Sequence, residues 1–597
     1  MPHAVRRAVA GAAALALLGV PSLLGTAASA QDGSPGAEIV LRVGTINDLA
    51  NDNPFGVTAG YDWGVATIQY DMLLQFSDDD LSASPGLADA CIPNKDHTRW
   101  TCRLREGLRW SDGEPLTSRD VAFSYRFVID NGISQFRSYF PYDPAFETPD
   151  DRTLVWRSKR PTFAPDMPPF VYIVPEHVWA HLDGAERKEI RSEPNTPTVA
   201  SGPFTLTEWE RGQGWTMERN PYYWGPQPAV DRLEFRVFDN QEAMVQALRN
   251  GEIDIADGLQ PTVFRTLEGS ADIATQRVIS DWWLNLAFNF GGQGQSSDPL
   301  PALADHRVRT AIQMAIDKQE IVDKVYLGYA NPGDTIVREA STYWHLDIPP
   351  DEEIPLDPQG ANALLDEAGY LDTDGDGVRE DPKSGEPLSV LMPASEETTG
   401  AVEAGQLIVG YLDQIGIDVE LQPASDAKMG DYWTSGDFDM YIWYWSGDPD
   451  PDYQLWVFAS GQCGVWSDGC WVDPRYDRLY EAQRTILDRA QRREAVYEAQ
   501  RYVYDQIPGV VLAYPSWLEA YRTDRFTGWT PAPGKNGYLL PGYNYHSLLS
   551  IRPVSGAATN TSASPGPPVW IWLAAVAVIG LVVAISIRRG RLEEREE

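Results

Sequence analysis

The chain has 597 residues, with 86 Asp and Glu against 48 Lys and Arg, a formal net charge of −38. That length predicts two or more lobes around a large core. The acid excess argues against nucleic acid or an anionic lipid surface as the partner, since both are held by Lys and Arg. Apolar residues make up 43%, with 21 Trp and 27 Tyr, which excludes disorder for most of the chain.

Residues 1–30 read as a secretory signal peptide. Arg6 and Arg7 supply the positive region, Ala8 to Leu24 the apolar run, and Ala28-Ser29-Ala30 a cleavage site. The run is short and broken by Gly and Pro, which disfavours an N-terminal anchor. The first cysteine is Cys91, so no lipid-bearing cysteine follows the signal.

Strands are expected at 38–43 and 232–237 from their alternation and β-branched content. Thr117 to Asp120 has the pattern of a capping box, with Val121, Tyr125, Val128 and Ile129 on one helical face behind it. A single helix is expected from Arg307 to Leu327, carrying Val308, Ile312, Ala315 and Ile316 and stopped by Gly328. Further helices are expected from Pro358 to Gly369, from Val402 to Ile415, and, singly or as a pair, from Pro474 to Gln506. This mixture predicts α/β layers.

No G-x-S-x-G elbow, P-loop or HExxH is present. His177 and His181 are spaced i, i+4 but lack the accompanying glutamate, and read as surface or packing residues. Asp372, Asp374 and Asp376, with Gly377, the Val378 carbonyl and Glu380, follow the spacing of a calcium loop. Lys383 stands where a closing Glu belongs, so an Asp/Gly turn is the competing reading. No other cofactor is implied.

The four cysteines allow three pairings. Pairing within Cys91/Cys102 and within Cys463/Cys470 is expected, because both close short loops and an outside location permits oxidation. The aromatic run Tyr441, Trp443, Tyr444 and Trp445 reads as half-buried strand. It ends at Gly447 before Asp448, Asp450 and Asp452, where a strand end could deliver aromatics and acids to a cationic or amine-bearing ligand.

After a linker at 552–568, Val569 to Ile587 carries no charge over 19 residues, enough to cross roughly 30 Å of hydrocarbon. Trp570 and Trp572 sit at its outer end, and Arg588, Arg589 and Arg591 place the 588–597 tail in the cytoplasm. The basic tail disfavours a glycolipid-anchor signal. The body between is then expected outside the cell, on a single-pass anchor in the cell membrane.

Several ordered blocks carry a family resemblance. They are Leu104-Arg105, Gly107, Trp110-Ser111-Asp112-Gly113, Pro115-Leu116-Thr117 and Asp120-Val121; Ser201-Gly202-Pro203-Phe204 with Glu208-Trp209; Arg219-Asn220-Pro221-Tyr222-Tyr223-Trp224; Gly251-Glu252-Ile253-Asp254; Asp305 to Arg309 with Ala315-Ile316-Asp317; and Ala368-Gly369-Tyr370. From Leu41 to Tyr545 the chain resembles the extracellular solute-binding proteins, family 5, of ABC importers, the dipeptide- and oligopeptide-binding type.

The resemblance implies a two-lobed α/β periplasmic-binding-protein fold of the large type II cluster, with a hinge and an extra inserted subdomain. Lobe I would comprise 38–60, 196–280 and 518–551, the insertion 61–195, and lobe II 281–517. A peptide or other small solute would bind between the lobes and pass to an ABC permease. Asp448, after Trp445-Ser446-Gly447, stands where peptide-binding members pair the ligand's α-ammonium; a solvated loop acid is the alternative. Cys463/Cys470 resembles a loop disulfide of dipeptide binders. Trp443, Tyr444, Trp445, Asp450 and Trp282 complete the expected ligand set. Their aromatic rings would suit an oligosaccharide as well, and the family also takes metal chelates. A membrane-tethered hydrolase is the remaining, non-transport reading.

Overall fold

The computed structural model describes residues 38–554 apart from 58–59, 138, 141–143, 161–170, 280, 293–298, 541 and 543–544. The expected signal peptide, the apolar 569–587 segment, the tail and nearly all of the linker lie outside the described residues. Among the described residues no helix is long and apolar enough to cross a membrane.

Two sheets organise the body. The first orders its strands Ile273–Val278, Trp517–Arg522, Ile255–Ala256, Val40–Thr45, Arg232–Val237, Gly214–Arg219 and Phe204–Glu210. The second orders Ala330–Pro332, Gly509–Pro515, Trp282–Phe288, Met440–Ser446, Ser389–Ser395 and Asp418–Ala424. Each sheet mixes parallel and antiparallel pairs. Apolar side chains from helices such as His306–Ala315 and Ala401–Asp413 pack on the second sheet, burying Val308, Ile312, Ile408 and Leu412 against Leu286, Met392 and Ile442.

The chain passes from the first of these sheets to the second at 279–281 and returns at Ser516. These passages are tied together: Arg277 Nε donates to Ser516 Oγ at 2.8 Å. On the first-sheet side, Trp517 Nε1 donates to Asp257 at 2.6 Å. These two passages lie side by side, so few backbone dihedrals separate the two sheets.

A smaller antiparallel sheet, Ala88–Pro93, Arg99–Leu104, Thr153–Arg157 and Ala145–Asp150, has its own core with helix Ser118–Asp130. The capping box is present: Thr117 and Asp120 satisfy each other's backbone N–H groups, and Val121, Tyr125 and Val128 are fully buried. Helix Gly60–Gln69 serves two cores. Its Val65 and Ile68 pack on the seven-stranded sheet, and Ala66 packs on the smaller domain.

One expected element divides. The 307–327 stretch forms two helices, His306–Ala315 and Lys318–Lys324. Apolar periodicity runs through the break, but Asp317 adopts an extended backbone and accepts the Glu320 N–H at 2.8 Å, starting a new helix. The 474–506 region is likewise a pair, Pro474–Thr485 and Arg489–Gln506. Gly369 ends helix Pro358–Ala368 at φ +90°, a conformation that costs a Cβ-bearing residue. Both local cysteine pairs are disulfides, Cys91–Cys102 and Cys463–Cys470.

Candidate functional site

Strand Met440–Ser446 lies beside Trp282–Phe288 in antiparallel register, with Ser446 opposite Trp282. Trp282 directly follows the first passage between the sheets, so the end of the 440–446 strand is delivered to the interlobe boundary. The Gly447 N–H then donates to the Asp281 carbonyl at 3.1 Å, which ties the next loop to that passage. A Cβ on Gly447 would lie 1.9 Å from Gln454 Nε2, so any larger residue here must displace that buried side chain.

Alternation along the strand sends its aromatics to two places. Tyr441, Trp443 and Trp445 share one face, and Tyr444 lies on the other. Trp445 Nε1 donates to Asp468 at 2.6 Å and its ring packs near Tyr453. Trp443 is half-buried between Tyr441 and Tyr444. Tyr444 is 43% exposed and meets Trp282 edge to face, with ring centroids 6.1 Å apart. Of the expected aromatic set, Tyr444 is the exposed member, while Trp282, Trp443 and Trp445 are half-buried.

The three loop acids divide in the same way. Asp448 accepts a hydrogen bond from the Tyr139 hydroxyl, 309 residues away in the small-sheet domain. Tyr139 is held by its neighbours Phe136 and Phe140, both fully buried. The carboxyl of Asp448 is pushed up to about 6, chiefly by burial, with Asp450 and Asp452 adding to it. Tyr139 and the Arg338 guanidinium pull it back. Arg338 is fully buried and lies 4.0 Å from Asp281. Tyr139 from the small-sheet domain and Arg338 thus both act on the one Asp448 carboxylate.

Asp450, expected beside Asp448, takes a different position. Its two oxygens accept from Arg492 at 2.6 and 2.7 Å in a buried bidentate pair. That geometry satisfies both groups and leaves no carboxylate oxygen turned to a ligand. Asp452 accepts from Gln483 at 2.7 Å, and Gln483 in turn accepts from Arg492 at 3.0 Å. These acids clamp the loop onto the 474–506 helix pair.

Asp468 was not singled out by the sequence. It lies inside the Cys463–Cys470 loop and accepts from Tyr441 at 2.5 Å, Trp445 at 2.6 Å and Asn285 at 3.0 Å. Burial outweighs these bonds and lifts its carboxyl to about 6. It borders a small cavity with Asn285, Phe290, Trp445 and Trp471. The only sequence signal was its enclosure by the cysteine pair. Tyr139 had none.

The Asp/Gly loop folds on its own carboxylates. Asp372 accepts from Gly375 N at 2.7 Å and Gly377 N at 3.0 Å, Asp376 from Val378 N at 2.8 Å, and Glu380 from Thr373 N at 2.8 Å. Carboxylate oxygens of Asp372, Asp374, Asp376 and Glu380 nonetheless lie within 4.8 Å of one another. His177 and His181 are exposed, pairing with Asp112 at 2.9 Å and Glu193 at 3.4 Å.

Residues 82–465 match the family described as bacterial extracellular solute-binding proteins, family 5, middle region. The oligopeptide-binding protein AppA of Bacillus subtilis is 24% identical over 485 residues, covering 80% of this chain and 86% of that protein. The nickel-binding periplasmic protein of Escherichia coli is 26% identical over 395 residues, covering 64% of this chain and 71% of that protein. The solved structure of B. subtilis AppA in complex with a nonapeptide superposes with a TM-score of 0.70 at 20% identity, over 87% of this chain and 100% of that one, which speaks to fold. With the match spanning well over half its length, the chain belongs to the bacterial extracellular solute-binding proteins of family 5.

Proposed function

We propose that this protein is the ligand receptor of an ABC peptide importer and binds peptides through their α-ammonium at Asp448. Members of the family are transport receptors and not enzymes, and they need no cofactor, which removes the tethered-hydrolase reading. The observation that carries the ligand class is the Asp448 carboxylate. It lies at the interlobe boundary, largely desolvated, with a neutral hydroxyl donor from the opposite side. An ammonium arriving there forms a charge-assisted pair that a hydroxyl cannot match. Binding to both sides favours the closed arrangement, since the ligand makes its full contacts only there.

Lobe I is assigned to 38–60, 196–280 and 518–551, the insertion to 61–195 and lobe II to 281–517. The two passages between the sheets support that division. Tyr444 and Trp282 would flank the ligand's first side chains. Secretion by residues 1–30 and anchoring by 569–587 remain this reading's account of where the receptor works: on the outer side of the membrane, delivering solute to a permease.

The test is a thermal-shift screen of the full chain against free-amine peptides, oligosaccharides and metal chelates. A true ligand at 100 times its Kd stabilises by about 2.7 kcal/mol through mass action. Peptides are expected to raise the melting temperature. A shift with sugars or chelates alone would move the ligand class and leave the receptor role standing. The clustered oxygens of Asp372, Asp374, Asp376 and Glu380 favour a second, structural reading, one calcium ion. Calcium should then raise the melting temperature of the full chain, and Asp374→Asn should remove that rise.

A further inference from the structure

Beyond the edge strand Ala330–Pro332, the loop through 333–349 brings Asp334, His345 and Asp347 together, with one candidate ligand atom from each lying within 4.8 Å of the others. His345 is buried, and its Nδ1 lies 2.6 Å from the Val337 carbonyl. A carbonyl only accepts, so Nδ1 carries the proton in that bond. In the neutral ring Nε2 then presents a lone pair. It faces Asp347 Oδ1 at 3.2 Å and Asp334 Oδ1 at 3.7 Å.

A lone pair and two carboxylates repel unless a cation lies among them. A proton on Nε2 would bond Asp347, but 3.7 Å to Asp334 exceeds a hydrogen bond. Ligand atoms placed about 2.0–2.2 Å from a tetrahedral zinc-type ion are about 3.3–3.6 Å apart, close to both observed spacings. The surroundings are those of an outer shell that orients ligands. The Val337 carbonyl fixes the imidazole tautomer, and the Tyr514 hydroxyl, 2.7 Å from Asp334 Oδ1, shares its one proton between that oxygen and the Thr335 carbonyl. Glu339 lies in the same field, its carboxyl raised by burial and then by the charges of Asp334 and Asp347. Lys318 also acts on Asp334, but its ammonium donates to the Gly333 carbonyl at 2.7 Å. Asp347 is 94% exposed, which leaves a path for an ion from solvent.

We propose that Asp334, His345 and Asp347 bind one divalent transition-metal ion of the zinc type. An imidazole with carboxylates suits such ions, whereas calcium and magnesium prefer oxygen alone. The site stands whether or not the receptor's ligand is a peptide.

The test uses the full chain, stripped with EDTA and titrated with zinc chloride by calorimetry, with the melting temperature followed in parallel. One equivalent is expected to bind and to raise the melting temperature. Asp347→Asn, at an exposed position, should weaken binding at least tenfold, and His345→Gln should abolish it. The double variant Asp374→Asn, Asp376→Asn should bind zinc like the wild type. Absence of saturable binding by the wild type overturns the proposal. Binding that survives Asp347→Asn, or that is lost in the Asp374→Asn, Asp376→Asn variant, overturns it too. Should His345→Gln fail to fold, Asp347→Asn decides alone.

Discussion

Asp448 and Asp450 stand two residues apart in one loop and have opposite surroundings. Asp450 is locked to Arg492 by two short bonds, so its charge is neutralised within its own lobe. Asp448 faces the other side of the boundary, where a tyrosine hydroxyl meets it, and its carboxyl is pushed up to about 6. One acid ties the loop to its own helix pair, and the other is desolvated against a neutral hydroxyl. Burial alone therefore does not single out Asp448. What sets it apart is burial without a bidentate partner, at a surface shared by two bodies, and that contrast underlies its proposed binding role.

Variants can break this comparison from either end. Arg492→Met should have the largest effect on folding. It strands the Asp450 charge among buried groups, and removing one partner of a buried pair costs about 3–5 kcal/mol. Denaturant unfolding should show that loss, and a cost near zero would mean that Asp450 reaches water. Gly447→Ala comes next. Its Cβ would press on the buried Gln454 amide, and overpacking costs about 1–3 kcal/mol. Peptide affinity should fall with stability in this variant, because the displaced loop carries Asp448.

A pH series sharpens the Asp448 side. Its carboxyl is raised in the unliganded protein, so a proton must leave before an ammonium can pair. Affinity should therefore be level above pH 6, up to about pH 7.7–8.0 where a peptide amine deprotonates. Below pH 6 it should fall by up to about tenfold per unit. Folding follows the opposite sign. A raised carboxyl favours the folded state at low pH, and that contribution is lost as pH rises through about 6. Calorimetry from pH 4.5 to 7.5 checks the binding limb, which Asp448→Asn should flatten. The smallest effect belongs to Tyr139→Phe. Removing one hydrogen bond between the domains should cost about 0.5–1.5 kcal/mol of closure in the unliganded state. Solution scattering should show a more open ensemble, while peptide affinity stays within a few-fold.

Much of this fold could be read along the chain, because its signals are local. The capping box at Thr117, the glycine stop at Gly369 and the two short cysteine loops each depend on a few neighbouring residues. The break at Asp317 escaped because hydrophobic periodicity continues on either side of it, and only the cap geometry distinguishes one helix from two. The site divides along the same line. Asp448 was singled out through the resemblance carried by the motif around it. Its contrast with Asp450 was not, since the two acids differ only in partners that lie 309 and 42 residues away. The strand alternation that sends Trp445 to Asp468 and Tyr444 outward was legible in pattern, but not which face was the packed one.

Pairing of Asp448 with the ligand's ammonium is open to a four-way calorimetric cycle. Wild type and Asp448→Asn are each titrated with a tightly binding peptide and with its N-acetylated form. The account predicts that Asp448→Asn loses about 2–4 kcal/mol with the free-amine peptide, roughly 30-fold to 1000-fold. It should lose almost nothing with the acetylated one, and folding near pH 7 should not weaken, since a desolvated charge is removed. Equal affinity of wild type and Asp448→Asn for the free-amine peptide would contradict it.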